Sequence, residues 1–207
     1  MKTMSNGSDT STTALARLPA EQPPSHVAPR GYLMPRNFQE LIEVAKLLSQ
    51  SSLVPDAYRG KPADVVVAMQ MGAEVGLSPM QALQNISIIN GRPSLWGDAA
   101  MAVVRAHPAC QDVLETFDAE TQTATCTVIR RGSEPVSRTF SVADAEAAGL
   151  TNKKGPWQQY RQRMLQMRAR GFALRDSFPD ALRGLITREE AEDYPTADER
   201  PRRWSPR

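Results

Sequence analysis

Between Thr151 and Arg175 the sequence carries Lys153, Lys154, Arg161, Arg163, Arg168, Arg170 and Arg175, and no Asp or Glu. The whole chain is only +2, so everything outside this window sums to −5. Like charges crowded together without partners destabilise a fold unless an anion neutralises them. Five of the seven are arginine, whose planar fork matches phosphate oxygens and also stacks on bases. The chemistry such a cluster offers is the binding of a polyanion.

Bond-breaking chemistry has far less support. His26 sits in a Ser- and Pro-rich stretch and His107 stands alone before Pro108, so no nucleophile–His–acid set can be assembled. There is no GxxxxGK[ST] phosphate loop, no HExxH and no GxGxxG. Glu74 and Asp98 are the best pair of carboxylates for a metal-dependent nuclease, but each reads more simply as a surface charge or a helix cap. Cys110 and Cys126 form no CxxC pair and read as reduced thiols of a cytosolic protein. No cofactor and no metal are expected.

The positive window must be held by a helix. Gly155-Pro156 is a helix start, and Phe178-Pro179 is the next stop, because a residue before proline resists the helical region. At about 100° per residue, Trp157, Tyr160, Met164, Met167, Gly171 and Leu174 share one arc, which should face the core. Arg161, Arg168 and Arg175, spaced by seven, form a stripe along one edge of that arc. Arg163 and Arg170 flank the other edge, and Lys153 and Lys154 precede the helix. A seven-residue step rises roughly 10 Å, a spacing suited to successive phosphates of a polymer. The alternative is a plain solvated face, but such faces normally mix signs at i,i+4 spacing. Trp157 and Tyr160 read as core, with base stacking as the alternative. Trp96, just after a predicted hairpin, is open to either role, and Arg92, in the turn itself, could reach a groove.

The remaining elements alternate unevenly along the chain. Asn37 caps a predicted helix FQELIEVAKLLSQ, with Glu40 as its capping partner. Pro62 begins a second, largely apolar helix, and Ser78 caps a short third one. Asn90-Gly91 joins two β-prone pieces in a tight hairpin. A helix from Asp98 follows, then three strand-like runs with turns at Asp118 to Thr121 and at Gly132-Ser133. Ser141 caps a short helix ended by Gly149. Two short helices, Asp180 to Leu185 and Thr187 to Tyr194, close the folded region. Strands segregated from helices predict an α+β fold: one domain over residues 34–194, with a short β-hairpin and an antiparallel meander packed against several helices. Residues 1–33 read as a disordered arm and 195–207 as a flexible tail. No run approaches the length of a membrane span.

Two segments resemble a known family. MQMGAEVGLSPMQALQNISIINGR, from Met69, is similar to the stretch of RecT-like phage single-strand annealing proteins in which a buried helix ends in an LGL-P turn and leads into a hairpin. GPWQQYRQRMLQMRARGFALRDSFP is similar to that family's Gly-Pro-Trp segment, with Gly155, Pro156, Trp157, Met164 and Pro179 in matching places. FSVADAEAAGL falls where the family has a short helix, and the resemblance spans roughly residues 63 to 185. It implies single-stranded DNA binding and ATP-independent annealing of complementary strands in phage-type recombination. It further implies a homo-oligomeric ring or filament, an annealed duplex intermediate and a partner exonuclease. By motif match, Lys153, Lys154, Arg161, Arg168 and Arg175 would hold phosphates, Trp157 would stand with them, and the hairpin with Arg92 would line the opposite wall. The hairpin is shorter than the family's, and Leu95-Trp96-Gly97-Asp98 replaces its Gly-Tyr-Arg-Gly. The other readings are a non-annealing nucleic-acid-binding or assembly module of the same fold and, with least support, a nuclease using Glu74 and Asp98.

Overall fold

The computed structural model describes residues 35–194. The expected arm over residues 1–33 and tail over 195–207 lie outside them. Helix α1 (Phe38–Ser49) starts at Asn37, whose side chain accepts the Glu40 backbone N–H at 2.9 Å. Helix α2 (Pro62–Glu74) has proline in its first turn, and α3 (Pro79–Asn85) opens on a Ser78/Gln81 capping box. Leu41, Ala45, Val54, Tyr58, Val65, Ala68, Met69 and Leu83 form a small core among them. The Tyr58 hydroxyl donates to the Ile86 carbonyl at 2.6 Å, which ties this lobe to the hairpin.

The hairpin is β1 (Ile86–Ile89) and β2 (Arg92–Leu95), turned by Asn90 and Gly91 at φ 52° and 73°. Both turn residues of such a loop need positive φ, which is why Asn-Gly was a legible signal. Helix α4 (Gly97–Ala106) follows directly. Strands β3 (Cys110–Asp118), β4 (Thr123–Arg130) and β5 (Val136–Ser141) form an antiparallel meander in that spatial order. Alternation decides its faces. Ala124, Cys126 and Val128 of β4 are fully buried, whereas Thr123, Thr125 and Thr127 point the other way. Burial pushes the Cys126 thiol up to about 12, so it stays protonated and inert. Helix α5 (Val142–Ala147) begins at a Ser141/Asp144 capping box.

Helices α6 (Pro156–Gln159) and α7 (Arg161–Ser177) correct the expectation of one continuous basic helix. Tyr160 lies between them at φ −133°, ψ 48°, outside the helical region. The break turns α6 so that Trp157 is buried at 3% exposure, while Tyr160 is thrown outward at 66%. A straight helix would have kept both on the packed arc. Helix α7 lies across β4 and β5, with Leu165, Ala169, Ala173 and Leu174 fully or almost fully buried. Small residues at 169 and 173 let the helix approach the sheet closely.

Helix α8 (Pro179–Leu182) matches the start of one expected short helix. The last segment differs from expectation. Ile186–Thr187 forms a strand, β6, parallel to β2 through Ser94↔Ile186 and Leu95↔Thr187, and only then comes α9 (Arg188–Ala191). The fold is therefore mixed α+β, with two three-stranded sheets among the described residues. No helix among the described residues is long and apolar enough to cross a membrane.

Gly72 of α2 sits directly against Ala82 of α3, and a Cβ there would overlap the alanine methyl. Gly72→Ala should therefore destabilise the protein by about 1–3 kcal/mol through overpacking. A thermal melt reads this as a lowered Tm, whereas Gly132→Ala, at an open turn with φ +79°, should cost only the backbone strain.

Candidate nucleic-acid interface

Arg170 is the most deeply engaged cation of α7, with its side chain 5% exposed. Its Nε and one Nη donate to the two Glu115 oxygens at 2.6 and 2.7 Å, and the other Nη donates to Asp98 at 2.6 Å. Gln166 donates to the same Glu115 carboxylate at 2.9 Å. Burial opposes the charge on Arg170, but the Glu115 and Asp98 contacts still raise its pKa above the ordinary value. Burial likewise works against Asp98, yet Arg170 and Arg163 together hold its carboxyl below the usual range. Arg163 reaches Asp98 at 2.8 Å from a more exposed position.

Arg168 and Arg175 meet α9 and the turn after it. Arg168 Nε is 3.5 Å from Asp193, and its guanidinium lies 5.5 and 5.6 Å from the Phe140 and Phe172 ring centroids. Arg175 is 3.0 Å from Glu190, which also accepts the Tyr194 hydroxyl at 2.7 Å. Asp193 takes Lys153 at 3.2 Å and the Trp157 indole N–H at 3.1 Å. The match is imperfect. Arg168 Nε, Arg175 Nε, Glu190 Oε2 and Asp193 Oδ2 are buried without a hydrogen-bond partner.

The expected open ridge of Arg161, Arg168 and Arg175 is thereby corrected. Only Arg161 is exposed; Arg168 is 10% and Arg175 29% exposed in the side chain, and each faces a carboxylate of the same chain. Lys153 is likewise engaged, and the Trp157 ring is core. The sequence did contain the signal for these partners. The run Arg188-Glu-Glu-Ala-Glu-Asp193 places four acids after the basic helix, and the chain outside the basic window is net negative.

Of the cations expected at the interface, a smaller group remains uncompensated. Lys154, Arg161 and Arg92 are exposed, and none has a carboxylate within ion-pair distance among the described residues. The fold connects their neighbourhoods. Asn90, two residues from Arg92, donates to the carbonyls of Ala191 and Tyr194 at 3.3 and 3.2 Å. Lys153, beside Lys154, donates to the Glu192 carbonyl at 3.2 Å. Hairpin turn and basic loop therefore both contact residues 191–194. The α4 start joins them: the Gly97 N–H donates to Glu189 at 3.1 Å, and a Cβ on Gly97 would lie 2.6 Å from Met167 Sδ of α7. Burial raises the Glu189 pKa. Two exposed aromatics border this surface, Tyr160 at 66% and Trp96 at 39%. The Arg188 guanidinium covers the Trp96 ring at 4.0 Å, a stack that sequence reasoning missed.

Glu74 and Asp98 are not brought together. Glu74 lines a cavity of about 530 Å³ with Val103, Ala106 and His107 at the C-terminal end of α4, whereas Asp98 is in its first turn. At 1.5 Å rise per residue the two ends are roughly 12 Å apart. No group of three His, Cys, Asp or Glu side chains among the described residues is placed to hold a metal ion. Asp180, on the same cavity, instead binds Arg130 through both oxygens at 2.6 and 2.8 Å. Set against models of known protein families and against curated proteins, the chain matches none.

Arg170→Ala leaves Glu115 half-buried and unpaired and should cost about 3–5 kcal/mol in urea unfolding. Arg163→Ala, at an exposed pair, should cost under about 1 kcal/mol. Arg130 holds Asp180 at about 2 against an ordinary 3.8. A depressed carboxyl stabilises the fold above its unfolded pKa and loses that contribution as pH falls through the folded one. Asp180→Asn should therefore flatten the loss of stability between pH 3.8 and about 2, read as the urea midpoint at each pH.

Proposed function

We propose that this protein binds single-stranded DNA and anneals complementary strands without ATP, as its resemblance to RecT-like annealing proteins suggests. The observation that carries the binding half is the contrast in charge pairing. Arg168, Arg170, Arg175 and Lys153 are matched by carboxylates of the same chain. Among the described residues, Lys154, Arg161 and Arg92 are exposed and have no ion-pair partner, beside an exposed Tyr and Trp. Cations that track a backbone, next to aromatics that accept any base, are what sequence-tolerant single-strand binding requires. In this reading the phosphates lie against Lys154, Arg161 and Arg92. Arg168 and Arg175 instead hold α9 and the turn after it, which shape that surface, and Arg170 holds β3 and α4. Assembly into a ring or filament, and work beside an exonuclease, belong to the same proposal.

A second reading is a nucleic-acid-binding module that does not anneal. The small number of unmatched cations favours it, because a strand held at few points is not kept extended over a long stretch. Acceleration of pairing between labelled complementary oligonucleotides, without ATP, separates the two. Binding without acceleration leaves the second.

Three phosphate contacts give a salt slope of about −2 for a single strand, a loss of roughly 20-fold between about 50 and about 200 mM salt. Seven contacts would give a slope near −5 and a loss of roughly 1000-fold. Lys154→Ala and Arg161→Ala should each weaken binding and reduce the slope by about 0.7. Arg168→Ala should lower Tm and leave the slope unchanged. An unchanged affinity in both Lys154→Ala and Arg161→Ala would refute the assignment.

A further inference from the structure

We propose that Trp96 is a preformed platform on which one base of the bound strand stacks. The proposal rests on the single-strand binding reading above and names the base-contacting residue of that surface. Of the two tryptophans among the described residues, Trp157 is 3% exposed and donates its N–H to Asp193. Trp96 is 39% exposed, so part of its ring is open to solvent.

The strand register specifies how Trp96 is held. Leu95 of β2 lies opposite Thr187 of β6 in the parallel pair. The residue just after each strand is Trp96 on one side and Arg188 on the other, so the ladder delivers ring and guanidinium side by side. Arg188 Cζ stands 4.0 Å from the ring centroid. Arg188 is itself fixed, its Nε donating to Glu192 at 2.6 Å. The Trp96 backbone is fixed as well: its N–H donates to the Asn85 carbonyl at 3.1 Å, and its carbonyl accepts the Ala100 N–H at 2.9 Å.

A ring already ordered by such contacts loses little further freedom when a base lands on it. Every base has a π-face, so the contact needs no particular sequence. An arginine–tryptophan stack also carries a positive charge, which suits a site beside a phosphate chain. Arg92 lies four residues up the same strand, roughly 13 Å away at 3.3 Å per residue. Phosphate contact and base contact are thus offered by the first residue of β2 and by the residue that follows its end.

The test compares fluorescence anisotropy of a labelled oligothymidylate with that of an abasic strand of equal length. Trp96→Ala should weaken oligothymidylate binding roughly 5- to 150-fold, the range for one lost stacked base. Trp96→Phe should restore most of it. The abasic strand should bind wild type and Trp96→Ala alike, with an unchanged salt slope. A second readout needs no destabilising variant. In a Trp204→Phe background, oligothymidylate should quench the exposed emission and shield it from acrylamide, and the abasic strand should not. Equal binding of oligothymidylate to wild type and Trp96→Ala, or an equal loss on both strands, overturns the platform while leaving DNA binding intact. Quenching that is the same with both strands overturns it too. A wild-type protein that binds neither strand overturns the DNA reading itself, and this proposal with it.

Discussion

The structure depends on an arginine that has been taken out of water. Arg170 stands where α7 crosses the inner face of the meander, and moving a guanidinium there costs several kcal/mol unless its donors are met. Glu115 meets it with both oxygens and Asp98 with one. That single group therefore fixes the helix to β3 and to the first turn of α4 at once. An apolar side chain would fill the space without choosing a register, whereas a planar fork accepts only one arrangement of its two acids. The placement of Gly97, Met167 and Trp96 follows from the same docking.

The second consequence is a division of labour among like residues. Seven cations crowd one window, and the fold assigns them opposite fates. Acids from residues 190 and 193 act as built-in counterions for Arg175, Arg168 and Lys153, so α9 and the turn after it form an ionic lid as much as a packed segment. The lid is loosely fitted, with four polar atoms at its contact left without hydrogen bonds. Of the window's cations, Lys154 and Arg161 are left uncovered before and at the start of α7, so the exposed positive charge of this segment lies at one end of the helix instead of along a ridge.

Much of this architecture was legible in the sequence because it is local. Asn37, Ser78 and Ser141 cap helices through side chains three residues from their partners, and Asn90-Gly91 adopts the positive φ its type permits. The alternation of Thr123, Thr125 and Thr127 with Ala124, Cys126 and Val128 gave β4 and its faces. What escaped was non-local or unmarked. The two-residue strand β6 pairs with a strand more than ninety positions earlier, and nothing in Ile186-Thr187 announces it. The break at Tyr160 contains no Pro or Gly. For the candidate site, composition identified the right window but could not say which arginines would meet acids. Those partners lie far away in the chain and are chosen by tertiary docking alone.

The position of the counterions in the chain also has a temporal meaning. A ribosome delivers α7 before it delivers Glu190 and Asp193, so Arg168 and Arg175 lack their counterions until α9 and the turn after it emerge, whereas Asp98 and Glu115 already precede Arg163 and Arg170. Docking of this segment is then the step that turns two solvated guanidinium groups of α7 into internal ion pairs, so the final turn of the described chain completes a contact that the helix alone cannot make.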